Sequence, residues 1–201
     1  MRSAQFESRE TAVRWTAGKV AAARARRPLP TTALARAALT AVSGDVELHA
    51  AATLMLLVGL RPGEVQRLRI LDWTPGVEPR LTIRSDRRER TIRIAPSAAS
   101  ALDEHLEGEN AELGEPLLLG LEYHWFVHRL FRDAMQQAGL DVDVLDLRRA
   151  AMAAVLEDGT PMQHIEAYFG IAKSPGRKDL VPVREGYDEG IAAVLEAEFA
   201  S

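Results

Sequence analysis

Apolar residues recur along this chain mostly at helical spacing, and in one stretch the period shortens to two. Glu7–Arg27, rich in Ala and Arg, reads as a helix that Pro28 and Pro30 end, because proline has no N–H to continue it. Thr31 and Thr32 are N-cap candidates for a helix over Ala33–Val42. After a Ser43-Gly44-Asp45 turn, Val46–Val58 is an apolar helix, and another opens at Pro62 and reaches Leu68. Ile70–Trp73 then leads into a loop holding Pro75, Gly76 and Pro79. From Arg80 to Pro96 apolar and polar residues alternate: Leu81 and Ile83, then Thr91-Ile92-Arg93-Ile94. That alternation predicts a β-hairpin whose tip, Ser85–Glu89, is charged.

Helical spacing returns at Ser97, which starts a helix over Ala98–Leu106, followed by an acidic loop over 108–116. Tyr123–Ala138 is amphipathic, with Phe126, Leu130, Ala134 and Ala138 on one stripe and Gly139 at its end. Asp143 or Asp146 caps the next helix, which runs to Leu156. Asp158-Gly159-Thr160-Pro161 is a turn with proline at the first position of a short helix, Met162–Phe169, closed by Gly170. A polar loop over Ala172–Gly186 precedes a last helix, Tyr187–Phe199, with Ile191, Val194, Leu195 and Phe199 on one stripe. The expected architecture is mostly α with a small antiparallel β-hairpin. It divides into a basic N-terminal arm, 1–28, and a domain over 29–201.

Composition narrows the function. A chain of 201 residues can bury a real core, and with aromatics at 5% the packing falls to Leu, Ala and Val. The lack of cysteine excludes disulfides and thiolate metal sites. No apolar run reaches bilayer length and the basic N-terminus lacks a signal peptide's apolar core, so a cytoplasmic location is the default expectation. A net charge of −4 argues against a generic nucleic-acid binder, but the charge is polarised. Met1–Pro28 carries seven Lys/Arg against two Glu, and Arg84–Arg93 carries five Arg against two acids. Acids gather in Asp103–Glu115 and Glu185–Glu198.

The candidate chemistry centres on two arginines at helix junctions. Arg61 lies in Gly59-Leu60-Arg61-Pro62-Gly63-Glu64, and Arg148 opens the Ala-rich segment Ala150–Leu156. Planar guanidiniums from distant segments suit a phosphate best. "LVGLRPGEVQRLRILDW", "RLTIRSDRRERTIRIAP" and "LDLRRAAMAAVLEDGTPMQHIEAYFGIA", in that order, resemble the first arginine motif, the β-hairpin and the second arginine motif of the tyrosine recombinase (phage integrase) catalytic domain. The resemblance spans roughly Leu29–Tyr187 and implies that fold, DNA recombination and integration, a bacterial or phage-like setting, DNA as partner, and neither a metal nor a small-molecule cofactor.

In that family a tyrosine attacks a DNA phosphodiester and forms a 3′-phosphotyrosyl bond. Two arginines steady the charge on the phosphate, while a hairpin lysine and histidines move protons. Carried over, Arg61 and Arg148 match the arginines. The lysine would fall near Ser85, where the tip carries Arg84, Arg87, Arg88 and Arg90 instead. Leu145 and Ile171 stand where the family has proton-handling residues, and the first tyrosine beyond them is Tyr187. Arginine holds its proton too tightly to replace the lysine as a general acid. Each lost acid–base group typically costs ~10²–10⁴-fold in rate, so efficient cleavage is not expected while phosphate binding is.

The expected function is therefore a DNA-binding protein on this fold, catalytically impaired or inactive. The alternatives are an active recombinase using Tyr187 and a protein-interaction module that has abandoned DNA. Arg61, Arg148 and the hairpin arginines Arg84, Arg87, Arg88 and Arg90 are the expected contacts to DNA phosphates. Arg61 has a structural alternative as a helix cap paired with Glu64, Arg148 a comparable structural one, and the hairpin arginines one as edge protection. Arg149 reads as a solvated charge, His164 as exposed, Tyr187 as a packing residue, and His124 with His128 as a surface or core-edge pair rather than a metal site. With only about 28 residues before the domain, a full clamp around DNA is not expected. The last helix is a candidate for self-association, in cis or in trans.

Overall fold

The computed structural model describes residues 28–85, 88–107, 115–118, 124–171 and 183–200. The N-terminal arm helix, most of the acidic loop, Arg87 and most of the polar loop after Ile171 lie outside the described residues. Helices α1 (Thr32–Val42), α2 (Val46–Leu57) and α3 (Pro62–Val65) lead to strands β1 (Trp73–Thr74), β2 (Arg80–Ser85) and β3 (Arg88–Arg93). Then follow α4 (Pro96–Leu106), α5 (His124–Gln137), α6 (Val144–Glu157), α7 (Met162–Phe169) and α8 (Tyr187–Phe199). The fold is mostly α with a small antiparallel sheet, as expected.

Helix α2 is the centre. Asp45 caps it through Leu48 N at 3.0 Å, and every residue from Ala50 to Leu57 is buried. A helix apolar on all sides must be covered on all sides. Here α1, α4, α5, α6 and α8 pack around it. Each fully buried side chain the size of Leu54, Met55 or Leu56 contributes about 1.5–3 kcal/mol of transfer free energy.

The sheet order is β1-β2-β3, antiparallel throughout. Strand β1 was not foreseen; Trp73 pairs with Leu81 across a run that reads as the entry to a loop. In β2 and β3, Leu81 faces Ile92 and Ile83 faces Arg90. Successive strand residues alternate faces, so Arg90 lies on the buried face with the three apolar residues.

Several helices differ from expectation in detail, and α3 stops at Val65, short of the expected Leu68. The buried stripe of α5 is Val127, Phe131 and Met135, one position on from the predicted one; Leu130 and Ala134 flank it and Ala138 is exposed. Helix α4 starts at Pro96 rather than at Ser97, whose N and Oγ donate to Glu196 at 3.0 and 2.7 Å.

The stripe of α8 docks in cis. Ile191, Leu195 and Phe199 are buried, with Val194 partly so, against α6, α2, α7, α1 and β3. Its acids are engaged as well: Glu198 accepts from Thr32 at the start of α1, and Asp188 accepts from Arg93 N in β3 at 2.7 Å. No helix among the described residues is long and apolar enough to cross a membrane.

Candidate functional site

The site begins where α2 ends. Gly59 has φ 68°, and a Cβ there would lie 2.1 Å from a ring carbon of Phe169, so only glycine fits. The turn delivers Arg61 to the N-cap of α3, with Pro62 at the first helical position. Glu64 is 2% exposed. Its Oε2 accepts from Arg61 N at 2.9 Å, and its Oε1 accepts from Arg90 Nη1 at 2.9 Å.

Arg148 enters from α6, which Asp143 and Asp146 cap reciprocally. Its Nη1 donates to Gly59 O and its Nη2 to Phe169 O at 2.7 Å. Arg90 reaches in from β3, where its Nε donates to Tyr168 O at 2.9 Å, and Arg61 Nη2 donates to Gly170 O at 3.3 Å. The three arginines thus bond the last carbonyls of α7, which lack intrahelical partners and form the negative end of its dipole. Gly170 ends that helix at φ 61°, and a Cβ on it would meet Arg90 Nη1 at 2.5 Å.

Three guanidiniums face one carboxylate, leaving a formal local charge of +2. Burial first, then the neighbouring Arg61 charge, lowers Arg148 to about 10 against the opposing pull of Glu64; it stays cationic near neutrality. Burial alone would raise Glu64, but the hydrogen bonds from Arg90 and Arg61 N and the charges of Arg90 and Arg148 hold it below the usual carboxylate range. The side chains differ in access: Arg148 is 9% exposed, Arg90 11%, Arg61 48%. Arg61 is the arm that faces solvent. Arg90 Nη2 is buried with no hydrogen-bond partner among the described residues.

Tyr187, the first residue of α8, is half-buried, its ring 5.4 Å from that of His164. His164 is 8% exposed, not exposed as expected, because α8 and Arg184 just before it pack against that side of α7. Its Nε2 accepts from Arg184 N at 3.3 Å. Burial, and then Asp188, pushes the Tyr187 phenol up, with Arg90 opposing. The hydroxyl holds its proton more tightly than a free tyrosine does.

The other hairpin arginines are placed differently. Arg84 pairs with buried Asp72 and with Glu89 at 2.9 Å. Arg88 stands opposite Ser85 in the register. Leu145 and Ile171 are partly buried and pack on the core. Arg149 pairs with Asp146 at 2.7 Å rather than standing free in solvent. Among the described residues no group of three or more His, Asp or Glu is placed to hold a metal. The side chains of His124, Trp125 and Phe126 lie outside the described residues.

The sequence names Arg90 among the tip arginines and Glu64 as a partner of Arg61, but not the inward place of the one or the hub position of the other. The signal for Arg90 was present, since Ile92 and Ile94 set the inward phase of β3 and Arg90 shares it.

No family model and no curated protein matches the sequence. Solved structures do. XerA recombinase superposes with a TM-score of 0.63 at 20% identity, over 83% of this chain and 65% of that one. An integrase from mycobacterium phage Brujita gives 0.62 at 17% identity, over 87% and 63%. A lambda integrase dimer bound to a COC′ core site gives 0.59 at 18% identity, over 79% and 63%. The fold is therefore that of the tyrosine recombinase catalytic domain, and the chain spans just under two thirds of the length of these three proteins.

Proposed function

We propose that this protein grips the phosphate backbone of DNA on a tyrosine recombinase fold without efficiently breaking it. The observation that carries this reading is the excess positive charge at the junction of α2, α3, α6 and α7, with Arg61 as its solvent-facing arm. A half-buried surplus of guanidinium charge favours an anion, and a phosphodiester matches its planar donors. The core site named for the lambda integrase dimer supports DNA as that anion's source. Against cleavage stand Leu145 and Ile171, which cannot carry protons, and a Tyr187 hydroxyl whose ionisation burial discourages. A duplex-binding titration by fluorescence anisotropy tests the reading: affinity falls steeply with salt, and Arg61→Ala weakens it.

A second reading, an active recombinase, draws on Tyr187 lying against His164 within the field of Arg90. It requires a covalent adduct on a nicked duplex that disappears in Tyr187→Phe. A third, an interaction module, draws on Arg148 and Arg90 already being engaged by carbonyls. It requires that no salt-sensitive DNA binding occur.

A further inference from the structure

We propose that Arg90 is a positioning residue for this phosphate site, holding Glu64 from the sheet side so that the Arg61 guanidinium stays free to meet a phosphate. The inference rests on the phosphate-binding reading above. Glu64 Oε1 has Arg90 Nη1 at 2.9 Å and Arg61 Nη1 at 3.8 Å. The first is a charge-assisted hydrogen bond; the second is too long to be one. The carboxylate is 2% exposed, so its oxygen cannot turn to bulk water for a donor.

Without Arg90, that oxygen is left buried and unpaired. Two other guanidiniums are near. Arg148 Nη1 lies 3.8 Å from Oε2 but is held by Gly59 O, and its Nη2 by Phe169 O. Among the described residues the Arg61 guanidinium has one hydrogen bond, 3.3 Å to Gly170 O, and it is 48% exposed, so it has room to swing. A closing of about 1 Å would make the Arg61–Glu64 contact a hydrogen bond. The guanidinium would then fold back onto its own helix turn. Arg90, 11% exposed, need not touch the phosphate to govern how it is held. Its other anchor, Tyr168 O, fixes the hairpin to the end of α7, and the absent Cβ of Gly170 leaves room for it.

The test reads Arg61 directly. Phenylglyoxal modifies accessible arginines, and peptide mass spectrometry gives the rate at Arg61 alone. In Arg90→Met the Arg61 rate is expected to fall roughly tenfold, the protection a charge-assisted hydrogen bond confers. In Arg90→Met/Glu64→Gln it is expected to return toward wild type, because the capturing charge is gone. Duplex affinity should follow the same order, with the salt slope lower by about 0.9 in Arg90→Met and restored in the double variant. If Arg90→Met does not fold, Arg90→Gln carries the same test, and Arg90→Lys should rescue in part. An unchanged Arg61 rate in a folded variant, or no recovery on adding Glu64→Gln, overturns the inference while leaving DNA binding standing. The expected labelling pattern in a protein that never binds DNA would keep the positioning role and sink the proposed function.

Discussion

Arg90 and Arg84 lie six residues apart in sequence on one hairpin and stand in opposite environments. Arg90 shares the buried face with Leu81, Ile83 and Ile92 and is engaged by Glu64 and a helix carbonyl. Arg84 is 45% exposed, and its guanidinium binds Asp72 and Glu89. The difference lies in the register, not in the residue type: one step along a strand reverses the face a side chain occupies. A cluster of arginines in a sequence is therefore not one surface. Here, among the described side chains, Arg90 is an inward strut that joins the arginine site while Arg84 forms outward ion pairs.

Mutations can widen or close that contrast. The largest effect is expected inside the cluster. Arg148→Met leaves two carbonyls without donors and removes one of the cations around buried Glu64; it should cost about 3–5 kcal/mol, read as a lower urea midpoint. Next comes acid. Glu64 sits below its ordinary value of 4.5, so its contribution is present above that value and is lost as pH falls through the lower folded one. Stability should drop in that acid range, and Glu64→Gln, though less stable at neutrality, should flatten part of the dependence. A drop unchanged in Glu64→Gln would assign it to other carboxylates. The smallest effect belongs to the outer face. Glu89→Ala breaks a pair whose partners are 45% and 61% exposed and should cost under about 1 kcal/mol, shrinking further at high salt. A cost at Glu89 equal to that at Arg148 would erase the contrast.

Much of this was legible in the chain. The helix order followed from apolar spacing and from the Pro and Gly punctuation around Gly59, Pro62, Pro161 and Gly170, because those residues act locally. Arg61 stood out because it sits at a helix junction; Arg148 stood out because it opens the Ala-rich segment, although it lies a turn inside α6 rather than at a junction. What escaped depends on tertiary contact. Glu64 reads as an ordinary first-turn acid, and only the fold brings β3 to it. His164 reads as exposed until α8 covers it. The α5 stripe slipped by one position because both rows of that helix are apolar and the packing partners, not the periodicity, select between them. The acids of α8 read only as part of an acidic stretch, yet Asp188, Glu196 and Glu198 each reach another element.

The measurement that bears most directly on the proposed function is duplex DNA binding by fluorescence anisotropy at about 50 and about 200 mM salt, wild type beside Arg61→Ala. Arg61 is the right residue because it is the exposed arm of the cluster, so its removal should leave the fold intact where loss of Arg148 would not. The expected result is wild-type binding that weakens steeply with salt, and a folded Arg61→Ala with lower affinity and a shallower salt slope. Equal binding by the two proteins, or no binding by wild type at the lower salt, would contradict a phosphate site at Arg61.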